Sequence, residues 1–383
     1  MKRKKIIIFS TAYAPLIGGA EIAIREITDR IDEYDFDLIT PRFSRNLPAT
    51  EKYNKVTIYR VGIGIKFFDK LWFALFGYKK ALALHKDSNY SLIWSMMASY
   101  SGFAALAFKK KTGVPFLLSL QEGDKIEYIL KKVRFVRKRF NNIFKSVDGL
   151  QAISTYLMKW GLDMGFKGKI SEVVPNGVDI ARFTKNYSEQ ELKDKRASFG
   201  FSEDSTILVT ASRLVVKNGI EHVIIALSKL PKEVCFVICG SGELENSFQD
   251  LVLKLNLQDR IKFLGNVDHT ELPKILKSCD IFIRPSLSEG LGNSFLESMA
   301  AGLPTIGTEV GGIPDFLVEG KTGFFCKPEN PDSIAIAVQK IRSLTELEKQ
   351  TIYKNAVQII EDKYNWCYVV GRMKEIFQKL EDK

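Results

Sequence analysis

Ile281-Phe282-Ile283-Arg284-Pro285-Ser286-Leu287-Ser288-Glu289-Gly290-Leu291-Gly292-Asn293-Ser294-Phe295-Leu296-Glu297-Ser298-Met299-Ala300-Ala301-Gly302-Leu303-Pro304 passes from an apolar, β-branched triplet into a proline and glycine loop, then into a short helix of small residues. Strand, glycine turn and tightly packing helix are the parts of a βα unit. In sheets built from such units, ligands lie beyond the carboxyl ends of the strands. That rule puts Glu289 in a ligand-facing loop and Glu297 one turn into the helix, so the two carboxylates serve different places and do not form a close acid/base pair. Ser294-x-x-Glu297 also has the spacing of a capping box, a purely structural reading of Glu297. An acid ahead of a glycine loop, as at Glu289, has no comparable local role.

The same alternation runs through the whole chain. Short apolar runs at 5–9, 37–40, 56–60, 92–94, 115–120, 149–153 and 170–174, then at 206–211, 234–239, 261–264, 281–284, 305–307 and 323–326, are separated by segments of helical period. Two doubly wound, Rossmann-like α/β domains are expected. From about residue 332 the tail reads as three helices without a strand. The 383 residues, 45% hydrophobic and 26% charged, suit two globular domains and exclude a disordered or fibrous chain. Met1-Lys2-Arg3-Lys4-Lys5 before Ile6-Ile7-Ile8-Phe9 has the look of a signal-peptide start, but Ser10, Thr11 and Pro15 follow and no small-residue cleavage site does, so a first buried strand is the better reading. No apolar run approaches the ~20 residues that span a bilayer. The five cysteines (235, 239, 279, 326 and 367) show no paired spacing, which predicts reduced core thiols and a cytoplasmic protein.

The net charge of +11 is unevenly placed. Residues 1–175 carry 30 Lys+Arg against 16 Asp+Glu, a net +14, and residues 176–383 carry 26 against 29, a net −3. A polyanionic partner for the first half follows. No nucleic-acid-binding motif accompanies the charge. The composition changes near the turn-rich Pro175-Asn176-Gly177-Val178-Asp179, which marks the boundary between domains 1–175 and 176–363.

Three further constellations bear on chemistry. Gly18-Gly19-Ala20-Glu21 lies between the first strand and a helix, and reads equally as an anion-binding helix start or a tight turn. Gly240-Ser241-Gly242 after the 234–239 run is similar to a dinucleotide fingerprint, but Glu245 replaces its third glycine, so a sharp turn at the mouth of the second sheet is favoured. Arg213 and Lys217 follow the 206–211 run, where a guanidinium can clamp phosphate oxygens; the alternative is a solvated pair of charges. Asp35-Phe36-Asp37 lies at the start of a strand, away from the carboxyl ends, and reads as surface decoration. No metal site is expected. His85, His222 and His269 have no ligand spacing and receive no role.

Taken as an ordered set, Gly18-Gly19-Ala20-Glu21, Pro175–Asp179, Arg213/Lys217, Gly240–Gly242, Glu289 and Glu297 with seven residues between, Gly311-Gly312-Ile313-Pro314-Asp315 and Gly320-Lys321-Thr322-Gly323-Phe324 resemble the retaining nucleotide-sugar glycosyltransferases of the family-four (group 1) type. The resemblance covers essentially the whole chain. It implies the GT-B fold, two Rossmann-like domains facing across a cleft, with the C-terminal helices crossing back so that 364–383 packs on the first domain. It implies an acceptor-binding first domain and a donor-binding second one, a nucleoside diphosphate sugar (UDP or GDP) as substrate, and no cofactor. Residue by residue, Glu297 would hold the donor ribose and Glu289 would face the donor sugar. Arg213, Lys217 and the backbone of Gly290, Leu291, Gly292, Asn293 and Ser294 would meet the diphosphate. Gly240, Gly242 and Val267 would line the donor site, and Gly18, Gly19 and Glu21 an acceptor or diphosphate loop. Two departures stand out. Asn218 occupies the place before Gly219 where the family has its Lys, and Gln121, in Gln121-Glu122-Gly123-Asp124, stands where many members carry a His. Gln121 can hold a sugar hydroxyl but cannot transfer a proton.

Residues 125–145 place Ile126, Ile129, Leu130, Val133, Val136, Phe140, Ile143 and Phe144 on one helical stripe, bordered by Lys131, Lys132, Arg134, Arg137, Lys138 and Arg139. Such a basic amphipathic helix is a membrane-surface candidate. A second segment, 66–80, is aromatic-rich with cationic ends. The alternative is that both stripes face the domain's own core. With the +14 half, they point to an anionic acceptor, such as a lipid-linked sugar diphosphate of the cell envelope, met at the inner face of the membrane. An epimerase or hydrolase of the same architecture, and a non-catalytic sugar-nucleotide or membrane-surface binding protein, are the rival readings.

Overall fold

The computed structural model describes residues 3–16 and 18–382; Met1, Lys2, Ile17 and Lys383 lie outside it, and with them the first two residues of the basic N-terminus. The chain divides into two units, Met1–Gly177 with Trp366–Lys383, and Val178–Asn365. The first holds eight strands: β1 Lys4–Phe9, β2 Tyr34–Pro41, β3 Thr50–Tyr53, β4 Val56–Val61, β5 Leu92–Met96, β6 Phe116–Leu120, β7 Gly149–Ala152 and β8 Ile170–Val173. Their order is β3-β4-β2-β1-β5-β6-β7-β8, parallel throughout except for the antiparallel β3–β4 pair. Strands buried on both faces read as unbroken apolar runs, which is why Ile6–Phe9 and all five residues of β6 are visible in the sequence and buried in the structure. The strand the sequence reading missed, β3, is Thr-Glu-Lys-Tyr, a polar edge closed onto β4 by the Asn54-Lys55 turn. Polar side chains suit a sheet edge and leave no apolar run to find.

The second unit holds β9 Thr206–Ala211, β10 Val234–Cys239, β11 Ile261–Gly265, β12 Ile281–Ile283, β13 Thr305–Gly307 and β14 Phe324–Phe325. Their order is β11-β10-β9-β12-β13-β14, all parallel. Strand order reverses between β9 and β12, the switch point at which open α/β sheets bind ligands. Ile281 pairs with Leu208 and Phe282 with Val209, so the loops after these two strands leave the sheet side by side.

The helix Trp366–Glu381 belongs to the first unit and lays Trp366, Val369, Val370, Met373, Ile376, Phe377 and Leu380 into its core. The Phe377 ring sits 5.3 Å from Trp94 and 5.9 Å from Tyr34, centroid to centroid. At roughly 1.5–3 kcal/mol for each fully buried large side chain, this docking is a main contributor to the unit's stability.

Three expectations change. Residues 125–145 do not form one helix: Ile126–Lys132 ends at Val133, a 3₁₀ turn covers Arg134–Val136, and a second helix runs Arg137–Ser146. Only Phe140, Ile143 and Phe144 of the apolar stripe are buried, while Val136 is exposed. Asp37 is not surface decoration: it is buried, accepts a 2.6 Å bond from the Tyr90 hydroxyl and lies 3.8 Å from Lys5 Nζ. Asp35 remains half-exposed beside Arg3. Four cysteines are buried, and Cys367 is exposed. No helix among the described residues is long and apolar enough to cross a membrane.

Candidate functional site

In the second unit the loops at the carboxyl ends of the strands are tied to one another by backbone bonds. Leu214 N–H donates to Ser241 O (2.9 Å) and Leu244 N–H to Leu214 O (3.1 Å), which joins the loop after β9 to the turn after β10. Leu287 N–H donates to Lys217 O (2.7 Å), which joins it to the loop after β12. The Thr308 hydroxyl donates to Ser286 O (2.6 Å), which adds the loop after β13. Two glycines are needed for this closeness. At Gly240, with φ of +135°, an added Cβ would stand 1.9 Å from Ser212 O, and at Gly311, with φ of +58°, 1.7 Å from Glu289 O. Gly242 packs on Leu214 in the same way. The Gly240–Gly242 segment is therefore a sharp turn braced on the loop that carries Arg213.

Arg213 is exposed and Lys217 half-exposed on that loop. Asn218, the departure from the family pattern, is buried and donates from Nδ2 to Arg213 O at 2.6 Å, so it fixes the loop's shape.

Glu289 has the local role that the sequence did not show. Arg284, buried at the end of β12, donates from Nη2 to Glu289 Oε2 (2.7 Å), from Nη1 to Ser294 Oγ (2.8 Å) and from Nε to Ser286 Oγ (3.2 Å), and stacks 4.5 Å over the Phe295 ring. Burial lowers the Arg284 pKa, and the charges of Glu289 and then Glu297 work against that. Glu289 also accepts from Gly290 N–H at 3.2 Å. One guanidinium thus holds both the loop acid and the start of the next helix. Gly290, Leu291 and Gly292 are buried on the way into that helix, Asn293–Ala300, which begins after Gly292 without a side-chain cap. Its positive end is left to backbone N–H groups. Ser294 is occupied by Arg284, so the capping-box alternative for Glu297 is overturned.

Glu297 is reached from the loop after β11, where Val267 is half-buried. His269, given no role from sequence, places Nε2 2.9 Å from Glu297 Oε1, and Arg182 Nη1 lies 2.7 Å from His269 Nδ1. Arg182 in turn pairs with Asp179 at 3.2 Å. A guanidinium only donates, so Nδ1 accepts and Nε2 carries the proton toward Glu297. One carboxylate oxygen is thereby held and the acid oriented. Searching every carboxyl-end loop for polar residues would have found His269, two places after Val267.

In the first unit, Gln121 is buried after β6 and accepts from Asn176 Nδ2 at 3.2 Å. Its neighbour Glu122 accepts from Ala98 N–H (2.8 Å) and Gln121 N–H (2.9 Å), which ties the loops after β5 and β6 together. Burial pushes the Glu122 carboxyl up to about 7 against the pull of those two N–H groups and of its own. At the other turn Gly18 precedes the helix Gly19–Arg30. Burial raises the Glu21 carboxyl, while N–H groups of Glu21 and Gly18 hold it as an acceptor. Glu21 therefore folds back on the turn and occupies part of the expected anion site; Ile17 of that turn is outside the described residues. Lys131, Lys132 and Lys138 are exposed, and Arg137 is half-exposed and bonds Asn141 at 3.0 Å.

The group 1 glycosyl transferase family model matches residues 192–358, and the glycosyltransferase family 4 model matches 17–182. The chain belongs to these glycosyltransferases. The family-four match lies in the first unit apart from its last residues, 178–182, and the group 1 match, carrying Arg213, Glu289 and Glu297, lies in the second. This glycosyltransferase is 26% identical to an uncharacterised glycosyltransferase of Methanocaldococcus jannaschii over 98% of each chain. It is 26% identical to the alpha-monoglucosyldiacylglycerol synthase of Streptococcus pneumoniae over 79% of this chain and 70% of that one. The crystal structure of Anabaena HepE in complex with UDP-glucose superposes on it with a TM-score of 0.79 at 19% identity, covering 98% of this chain and 99% of that one. The fold is GT-B.

Proposed function

We propose that the protein is a retaining glycosyltransferase that moves a sugar from a nucleoside diphosphate sugar, UDP or GDP, to the hydroxyl of an anionic or lipid-linked acceptor of the cell envelope, in the cytoplasm and at the inner face of the membrane. The observation that carries this reading is the seating of the Arg213–Lys217 loop against the Glu289 loop at the switch point of the second sheet, through Leu287 N–H and Lys217 O. Two cations and an uncapped helix start then converge where a departing diphosphate gathers negative charge. Glu289, neutralised by Arg284, is a poor nucleophile and a good hydrogen-bond acceptor for donor sugar hydroxyls. Glu297 offers the ribose the carboxylate oxygen that His269 does not hold. In transfer with retention the bond from the anomeric carbon to the diphosphate breaks, the acceptor oxygen bonds that carbon on the same face, and the acceptor proton passes to the departing phosphate oxygen. Gln121 takes no proton and serves by hydrogen bonding.

Diphosphate release from a panel of nucleotide sugars, with and without acceptor, tests the reading. Release that requires acceptor supports transfer; acceptor-independent turnover indicates an epimerase or hydrolase, and none indicates a binding protein. Support for a lipid acceptor comes from the diacylglycerol relative, and for UDP from the ligand of HepE.

Glu297→Ala should weaken nucleotide binding by one to two charge-assisted hydrogen bonds, each worth ~1.5–3 kcal/mol. Titration calorimetry reads this directly, and unchanged affinity would return Glu297 to a structural role. Activity should also survive EDTA, because side-chain cations and backbone dipoles meet the leaving group. Loss in chelator with recovery in Mg²⁺ or Mn²⁺ would show that those groups do not suffice.

A further inference from the structure

The helix Lys66–Ser88 carries two neighbouring rows of large apolar side chains that none of the described residues covers. Phe67, Leu71 and Leu75 form one row at four-residue spacing and Phe68, Trp72 and Phe76 the other, and all six are exposed. The opposite row, Asp69, Phe73, Gly77 and Ala81, is buried. Residues four apart lie one above the other on a helix, so the exposed rows form a continuous apolar face. Isolated exposed apolar side chains are ordinary on a protein surface, but a contiguous patch of this kind marks an interaction site.

Charge says what it meets. The first row continues into Lys79 and the second into Lys80, while Lys66 and Lys70 border the face at its other end. Burial lowers the Lys70 pKa, and the nearby charges of Lys66 and of Lys132, the last residue of the 126–132 helix, lower it further. That helix adds exposed Tyr128, with Lys132 Nζ 4.1 Å over its ring, and the next turn adds Phe135, 86% exposed. The helix start is rigid. Asp69, fully buried, accepts backbone N–H groups from Phe43, Ile63, Gly64 and Ile65 at 2.8–3.1 Å. A second copy of this chain would bring like charge to like charge on a half that carries net +14. Lipid bilayers with anionic headgroups offer an apolar interior to the rings and negative charge to the lysines at one depth.

We infer that the exposed face of Lys66–Ser88 inserts its aromatic rows into the outer part of an anionic bilayer, with the flanking lysines of this helix and of the 126–138 segment at headgroup level. The inference deepens the proposed lipid-linked acceptor by naming the surface that reaches it. Its test needs neither donor nor acceptor, so it can fail while the transfer reading stands.

Tryptophan fluorescence isolates this face. Trp72 is 54% exposed, whereas Trp94, Trp160 and Trp366 are 0%, 4% and 6% exposed. With vesicles of phosphatidylglycerol and phosphatidylcholine at low salt, emission of the intact protein should shift to the blue and be quenched by acyl-chain-brominated lipid. Trp72→Phe should abolish the shift while still sedimenting with vesicles. Phe68→Ser with Leu75→Ser should reduce partitioning about tenfold or more, and unchanged circular dichroism and melting temperature would show that the variant folds. Pure phosphatidylcholine should bind less. Salt-sensitive sedimentation without a Trp72 shift would overturn insertion in favour of the basic segment alone. A shift that grows with protein concentration in the absence of vesicles would overturn it in favour of a second copy, and failure to sediment at low salt would overturn it outright.

Discussion

Replacing Arg213 with alanine should lower turnover by ~10²–10³, the usual cost of one preorganised group that stabilises developing negative charge, with little change in melting temperature. The structure gives reasons for both halves of that expectation. The side chain is exposed beyond β9, so removing it leaves no cavity. The loop's shape rests instead on the Asn218 amide bound to the Arg213 carbonyl, and on Leu214 bonded to Ser241. Both are contacts to the Arg213–Leu214 backbone that alanine keeps. Lys217→Ala should cost less, because its backbone carbonyl already anchors Leu287 while its side chain stands one place away from the usual position before the glycine. Steady-state kinetics with the best donor found in the nucleotide-sugar panel measures both. Equal and negligible effects from the two variants would sink the diphosphate clamp.

Much of this was legible in the sequence because parallel strands buried on both faces must be apolar runs, and glycines must recur where loops touch. The strands of the second sheet, Gly240, Gly311 and the Glu289 loop follow from those two requirements. What the sequence hid depends on contacts across loops. Arg284 sits five residues before Glu289 and reads as the end of a strand; only the folded loop shows that one guanidinium holds Glu289, Ser286 and Ser294 together. His269 and Glu297 are 28 residues apart and meet because the parallel strands β11 and β12 both release their following segments at the carboxyl end of the sheet. Asp37 looked superficial because its partner, Tyr90, lies 53 residues away. The 125–145 stripe failed for a different reason. Helical periodicity counts apolar residues without knowing which face has a partner, and Val133 and Val136 fall at the breaks between the two helices and the turn that joins them.

Arg284→Met should destabilise the second unit by ~3–5 kcal/mol at pH 7, the typical cost of breaking a buried ion pair by removing one member. Methionine keeps apolar contact with Phe295, so the loss comes mainly from Glu289, whose side chain is only 15% exposed and would lose its countercharge, with smaller losses from the hydroxyls of Ser286 and Ser294. Urea unfolding at pH 7 measures the loss, and combining Arg284→Met with Glu289→Gln should restore part of it by removing the stranded charge. If the double variant were as unstable as Arg284→Met, the hydroxyl bonds and the stacking on Phe295 would be the main work of Arg284, and Glu289 would not depend on it for its charge.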